Sequence, residues 1–134
     1  MNRSQVLTIF QRMLALVGIL FGIATLVAGT RVLAGADPGY LVFRPLLIFN
    51  TAMGLAYLAA GVIAWRSADK GKMASGAIFV LNLLVLGAIG YLYRTGSAVA
   101  AESVGAMALR TSVWLGLFLG LAWLSQQSRR RAST

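Results

Sequence analysis

The stretch from Pro45 to Trp65, 21 residues without a formal charge, constrains this chain more than any other. Arg44 precedes it and Arg66 follows it. At about 1.5 Å per residue, a helix of that length spans roughly 30 Å, the thickness of a bilayer's hydrocarbon core. Within it Ala52, Ala56, Ala60 and Ala64 recur every four residues, with Gly54 and Gly61 close by. Small side chains in such a stripe let a second helix approach closely, as membrane helix pairs do. The stretch predicts a membrane helix with a packing face.

The rest of the composition agrees. Hydrophobic residues make up 59% of the 134 positions and charged residues only 11%, where a soluble domain carries about 25%. The mean hydropathy is +0.81. One membrane domain covering residues 1–134 is the natural count. Cysteine and histidine are both absent, which removes thiolate chemistry and the commonest general base, metal ligand and haem ligand. No cofactor and no metal are expected. The net charge of +9 does not mark a nucleic-acid binder, because the basic residues flank apolar runs and do not cover one face of a soluble fold.

Four helices follow from the chain in order. Helix 1 is expected over about 9–33, with Arg12 at its entry and Ser4 as a candidate cap upstream. Gly18 and Gly22 form a small-xxx-small pair on it, continued by Thr25 and Gly29. A cleaved secretory leader ending at Ala34-Gly35-Ala36 is the competing interpretation; the length of the apolar run and Arg31 oppose it. Asp37-Pro38-Gly39 is a turn signal, and Tyr40 and Phe43 suit an interfacial belt. Helix 2 is expected over 45–65, helix 3 over 73–93 with Gly76, Gly87 and Gly90 for close packing, and helix 4 over 103–124. The uncharged run Thr111–Leu124 is too short to span, so helix 4 must take in Arg110. Gly116 and Gly120 form its small-residue pair, and Trp114 and Trp123 suit anchoring at the interface or against a neighbour. Residues 125–134 are expected to be an unstructured basic tail.

Lysine and arginine counts set the expected orientation. Arg3, Arg12, Arg66, Lys70, Lys72, Arg129, Arg130 and Arg131 fall on one side, eight against the four of Arg31, Arg44, Arg94 and Arg110. The excess of positive charge belongs in the cytoplasm. The expectation is therefore an all-α integral membrane four-helix bundle in the cell inner membrane, with both termini cytoplasmic.

Few side chains offer chemistry. Asn50 and Asn82 lie at membrane depth, where an amide needs partners, so both should face the bundle interior and could meet directly or through one water. Interhelical hydrogen bonding is the plain role; lining a polar site, extended by Tyr57 and Thr51, is the functional one. Arg31, Arg44, Arg94 and Arg110, with Asp37 and Glu102, form an outer group that suits phosphate contacts and rim ion pairs, or else a rim site for an anionic or quinone head group. Glu102 and Arg110 are two turns apart, too far for a direct pair. The chain has three acidic residues, one in each of three loops, so no carboxylate pair and no mid-membrane proton carrier is present.

Arg12, Gly18-Ile-Leu-Phe21 and Ala28-Gly29, followed by the Gly- and Ala-rich Met53–Gly61, resemble the small bacterial DoxX-like membrane proteins over about 50 residues. That resemblance implies a four-helix inner-membrane bundle, sometimes associated with quinone-linked oxidoreductases. Thr30-Arg31 stands where such proteins usually carry Lys or His. The resemblance transfers no catalytic residue.

The function expected is non-catalytic. The leading expectation is an accessory or assembly subunit packing through Gly18, Gly22, Ala52, Ala56, Ala60, Gly116 and Gly120 against a larger membrane complex, or forming a homo-oligomer. The alternative is binding or transport of a lipid, quinone or small apolar solute between the helices. The lipid bilayer is the common partner, and nucleic acid is not one.

Overall fold

Local caps set the starts of α1 and α3, and contacts between helices set the end of α4. The computed structural model describes residues 2–132. Helix α1 runs Arg3–Leu33, α2 Arg44–Arg66, α3 Ala68–Arg94 and α4 Ala101–Ala132. All four are long and apolar enough to cross a membrane. The described residues contain no other regular element.

Three boundaries differ from expectation, each for a capping or packing reason. Helix α1 starts at Arg3 because Asn2, not Ser4, caps it: the Asn2 side chain accepts from the Gln5 backbone N–H at 2.9 Å, and Gln5 Oε1 accepts from the Asn2 N–H at 3.1 Å. This is a capping box. Between α2 and α3 the expected loop 66–72 shrinks to one residue, Ser67, which closes α2 and caps α3 by accepting from the Lys70 N–H at 3.2 Å. Gly71 makes that turn possible, since a Cβ on it would lie 2.7 Å from the Ala64 Cα. Helix α4 starts near its predicted position but continues through 125–132 instead of ending at 124. Tertiary partners hold the extension: the Ser125 hydroxyl donates to Asp69 Oδ1 of α3, and Gln127 Oε1 accepts from Arg3 of α1. The last two residues of the predicted tail lie outside the described residues.

The helices stand in a ring in chain order. Helix α1 packs most extensively on α2, and α3 on α4, so the bundle is two sequence-local hairpins; the α2–α3 and α1–α4 seams are sparser. The α1–α2 seam is backbone on backbone. A Cβ on Gly22 would lie 2.6 Å from the Leu58 N and 2.9 Å from the Gly54 O, and one on Gly61 would lie 2.6 Å from the Ile19 N. Gly18 faces the Gly61 Cα and the Trp114 ring, each 3.3 Å from such a Cβ.

The two ends of the bundle differ. The terminal end carries Asn2, the end of α4 and the Ser67 turn; the loop end carries residues 34–43 and 95–100. At mid-length Tyr57 and Trp114 are fully buried and stacked, with ring centroids 5.0 Å apart, and Phe21 leans on Tyr57 at 5.5 Å. Ala15, Ala64, Leu121 and Leu124 fill the terminal end, and Leu46, Ile89, Val99 and Met107 the loop end. The outside is apolar as well: Leu20, Leu55 and Leu84 are each more than 60% exposed. A surface of that kind suits lipid and not water.

Candidate functional site

Near the loop end, α1, α2 and α4 leave a cavity of about 100 Å³, several times what one water requires. Gly29 brings α1 close to α2 here, and a Cβ on it would overlap the Thr51 hydroxyl. Tyr40, Val42 and Phe43 of the first loop lie against the cavity's outer side. Its polar wall consists of Thr25 from α1, Asn50 and Thr51 from α2, and Ser103 and Arg110 from α4.

Most of these polar groups have no protein partner among the described residues. Asn50 Oδ1 and Arg110 Nε are buried and accept or donate no hydrogen bond. Thr25 and Ser103 are buried, and their hydroxyls make no hydrogen bond either. Only Thr51 is satisfied, donating to the Leu47 carbonyl of its own helix at 2.8 Å. Arg110 has no carboxylate within ion-pair distance among the described residues; its guanidinium carbon lies 6.0 Å from the Phe21 ring centroid, and its charge also acts on the Tyr57 hydroxyl. A guanidinium over an aromatic face gains some electrostatic stabilisation, but the contact leaves the N–H donors unused.

A second hollow of about 230 Å³ lies beside the first and shares Thr25, Ala28, Ala106 and Arg110 with it. Its remaining wall is Phe21, Ala24 and Leu109. Arg110 therefore stands between a partly open, polar-walled chamber and an apolar groove along the α1–α4 seam.

The sequence-predicted residues fall into separate places. Asn50 and Asn82 do not pair. Asn82 is fully buried on α3 and accepts from the Tyr57 hydroxyl at 3.2 Å, while its own Nδ2 is unpartnered. Tyr57 lies two turns along α2 from Asn50, and α3 contributes no residue to the cavity wall. Tyr57 thus belongs with Asn82 and the aromatic centre, not with Asn50. The outer arginines are also not gathered: Arg31, Arg44 and Arg94 are exposed at helix ends, as is Glu102, and only Arg110 turns inward. Of the packing residues, Gly18, Gly22, Ala60 and Gly120 face neighbours inside the bundle and Ala56 is partly buried. Ala52 and Gly116 face outward, and a Cβ on Gly116, Gly87 or Gly90 would meet nothing within 4 Å. Trp123 is half exposed and meets Phe10 edge-on at 5.9 Å, whereas Trp114 lies in the core with its Nε1 unpartnered.

Ser103 is a wall residue that the sequence alone did not single out. The available signal was its position two turns before Arg110 on the helix that has to carry that charge. No family model, curated protein or solved structure matches the chain.

Proposed function

We propose that this is a non-catalytic, multi-pass protein of the cell inner membrane that binds an amphiphilic molecule, a lipid or quinone, between α1, α2 and α4. One observation carries the proposal: Asn50, Arg110, Thr25 and Ser103 surround a cavity with polar groups that the protein itself leaves unsatisfied. Buried polar groups without partners are costly, and an ionisable side chain inside a spanning helix marks a site by default. A ligand that supplies those partners recovers the cost. Both termini face the cytoplasm in this proposal, with the loop end outside, in line with the eight-to-four distribution of Lys and Arg.

The accessory-subunit reading draws on fewer features than the sequence offered. Gly18, Gly22, Ala60 and Gly120 are used within the bundle, and Ala52 and Gly116 are left facing outward for a partner helix. Mild-detergent extraction followed by native mass spectrometry separates the two. A small particle carrying a bound amphiphile supports the ligand site; stable migration with larger proteins and no small-molecule mass supports the subunit.

A further inference from the structure

Resting on the reading of this cavity as a ligand site, we infer that its ligand is a net-negative amphiphile, a phosphate or carboxylate on a hydrocarbon chain with no cation of its own, and that it enters sideways through the α1–α4 seam. Arg110 is the sole charged side chain in either wall. A guanidinium stays protonated in proteins and has donors only. Here Nε is buried and unbonded, and no carboxylate neutralises the charge. The Thr25 and Ser103 hydroxyls add two unused donors to the same wall. Donors converging on a half-buried guanidinium suit a phosphate or carboxylate oxygen, and Asn50 joins them by turning its amide so that Nδ2, and not the unbonded Oδ1, faces the head group. A neutral quinone carbonyl would accept the hydrogen bond and leave the charge uncompensated.

The route follows from the second hollow. It opens beside Arg110 along the α1–α4 seam, one of the two sparse seams of the ring. Ala24, Ala28 and Ala106 keep its wall low, and Phe21 and Leu109 make it apolar. Leu109 is 60% exposed on the bundle's outer surface. A chain lying along Phe21 and Leu109 puts its head group at Arg110. On the other side the chamber is bounded by Tyr40, Val42 and Phe43, which offer a free inorganic anion no charged path. The chamber takes the head and the groove takes the chain.

Two sources share this chemistry, an anionic phospholipid and a free fatty acid. The test equilibrates the full-length protein with vesicles of phosphatidylcholine alone, or with added phosphatidylglycerol, oleate or ubiquinone. A separate arm offers inorganic phosphate in neutral detergent. Native mass spectrometry then counts adducts. One adduct per chain from phosphatidylglycerol or from oleate is expected, and the arm that gives it names the source. Arg110→Gln should weaken that adduct about tenfold or more, and Arg110→Lys less, because the charge survives without the guanidinium geometry. Ala28→Leu, which fills the wall between the hollows, should slow loading from vesicles; unchanged loading overturns lateral entry. Equal retention of phosphatidylcholine or ubiquinone, unaltered by Arg110→Gln, overturns the anion assignment and leaves the cavity reading intact. Retention of inorganic phosphate as strong as that of the amphiphile overturns the chain requirement. No adduct in any arm overturns the cavity reading itself. If Arg110→Gln does not yield folded protein, Arg110→Lys and Ser103→Ala carry the comparison; both binding like the parent chain would overturn the assignment.

Discussion

The Tyr57 hydroxyl donates to Asn82 Oδ1 across 3.2 Å, and this is the polar link between α2 and α3 at the centre of the bundle. Both residues are fully buried, so neither has water to fall back on. Tyr57→Phe keeps the ring stack on Trp114 and removes only the donor. It should cost about 1 kcal/mol, within the range of interhelical hydrogen bonds in membranes. Unfolding in detergent micelles measures it; a variant as stable as the parent would show that the link contributes nothing.

Gly22 should tolerate no side chain. A Cβ there meets the Leu58 N and Gly54 O, which are backbone atoms and cannot swing aside. Gly22→Ala is expected to cost about 1–3 kcal/mol, the scale of overpacking, and Gly22→Leu to prevent closure of the hairpin. Gly87→Ala, with open space around it, is the control and should leave the midpoint in place. Thermal aggregation in micelles, followed by size-exclusion chromatography, compares the three.

The two asparagines should part company on mutation. Asn50 has no hydrogen bond to lose, so Asn50→Leu should leave stability within about 0.5 kcal/mol of the parent and weaken the bound amphiphile. Asn82→Leu strands the Tyr57 hydroxyl and should destabilise by about 1–2 kcal/mol with the ligand retained. The reverse pattern would place the site at the centre of the bundle.

The end of α4 should depend on α3. Asp69→Ala removes the acceptor of the Ser125 hydroxyl. Amides of residues 126–132 should then exchange with deuterium about tenfold faster, as expected for the loss of roughly 1.4 kcal/mol of local protection. Ser125→Ala should give the same result. Unchanged exchange would mean that the helix holds itself.

Reporter fusions test the orientation. A fluorescent protein that folds only in the cytoplasm should be bright at the C-terminus, and a phosphatase active only outside should be active when inserted at Gly39 or Gly96. Opposite signals would invert the bundle.

The sequence displayed its helices openly because an uncharged run of membrane length has few alternatives. What it hid was each helix's rotation and its register along the bundle. Asn82 lies at the depth of Tyr57, two turns or about 10 Å along α2 from Asn50, and the two amides also face different neighbours. An expectation of similar depth fails because the long α3 begins at Ala68 and shifts Asn82 along the bundle. Arg110 was visible as a charge that had to enter helix 4, but its separation from Arg31, Arg44 and Arg94 depends on how α4 is turned. The extension of α4 past Leu124 was hidden for a related reason: Ser125 and Gln127 read as polar tail residues until Asp69 and Arg3 are brought beside them.

The walls of the chamber come from both halves of the chain: Thr25 and Asn50 from the first hairpin, Ser103 and Arg110 from the second. Synthesis delivers the first hairpin while the second is still unmade. The chamber is thus the last thing the chain builds, and a molecule that fits it recognises only finished copies. By mass action such a molecule works as a clasp, holding closed a seam that the helices themselves hold loosely. Cells starved of it would carry fewer intact copies, so supply of the ligand would govern the protein's lifetime as well as its occupancy.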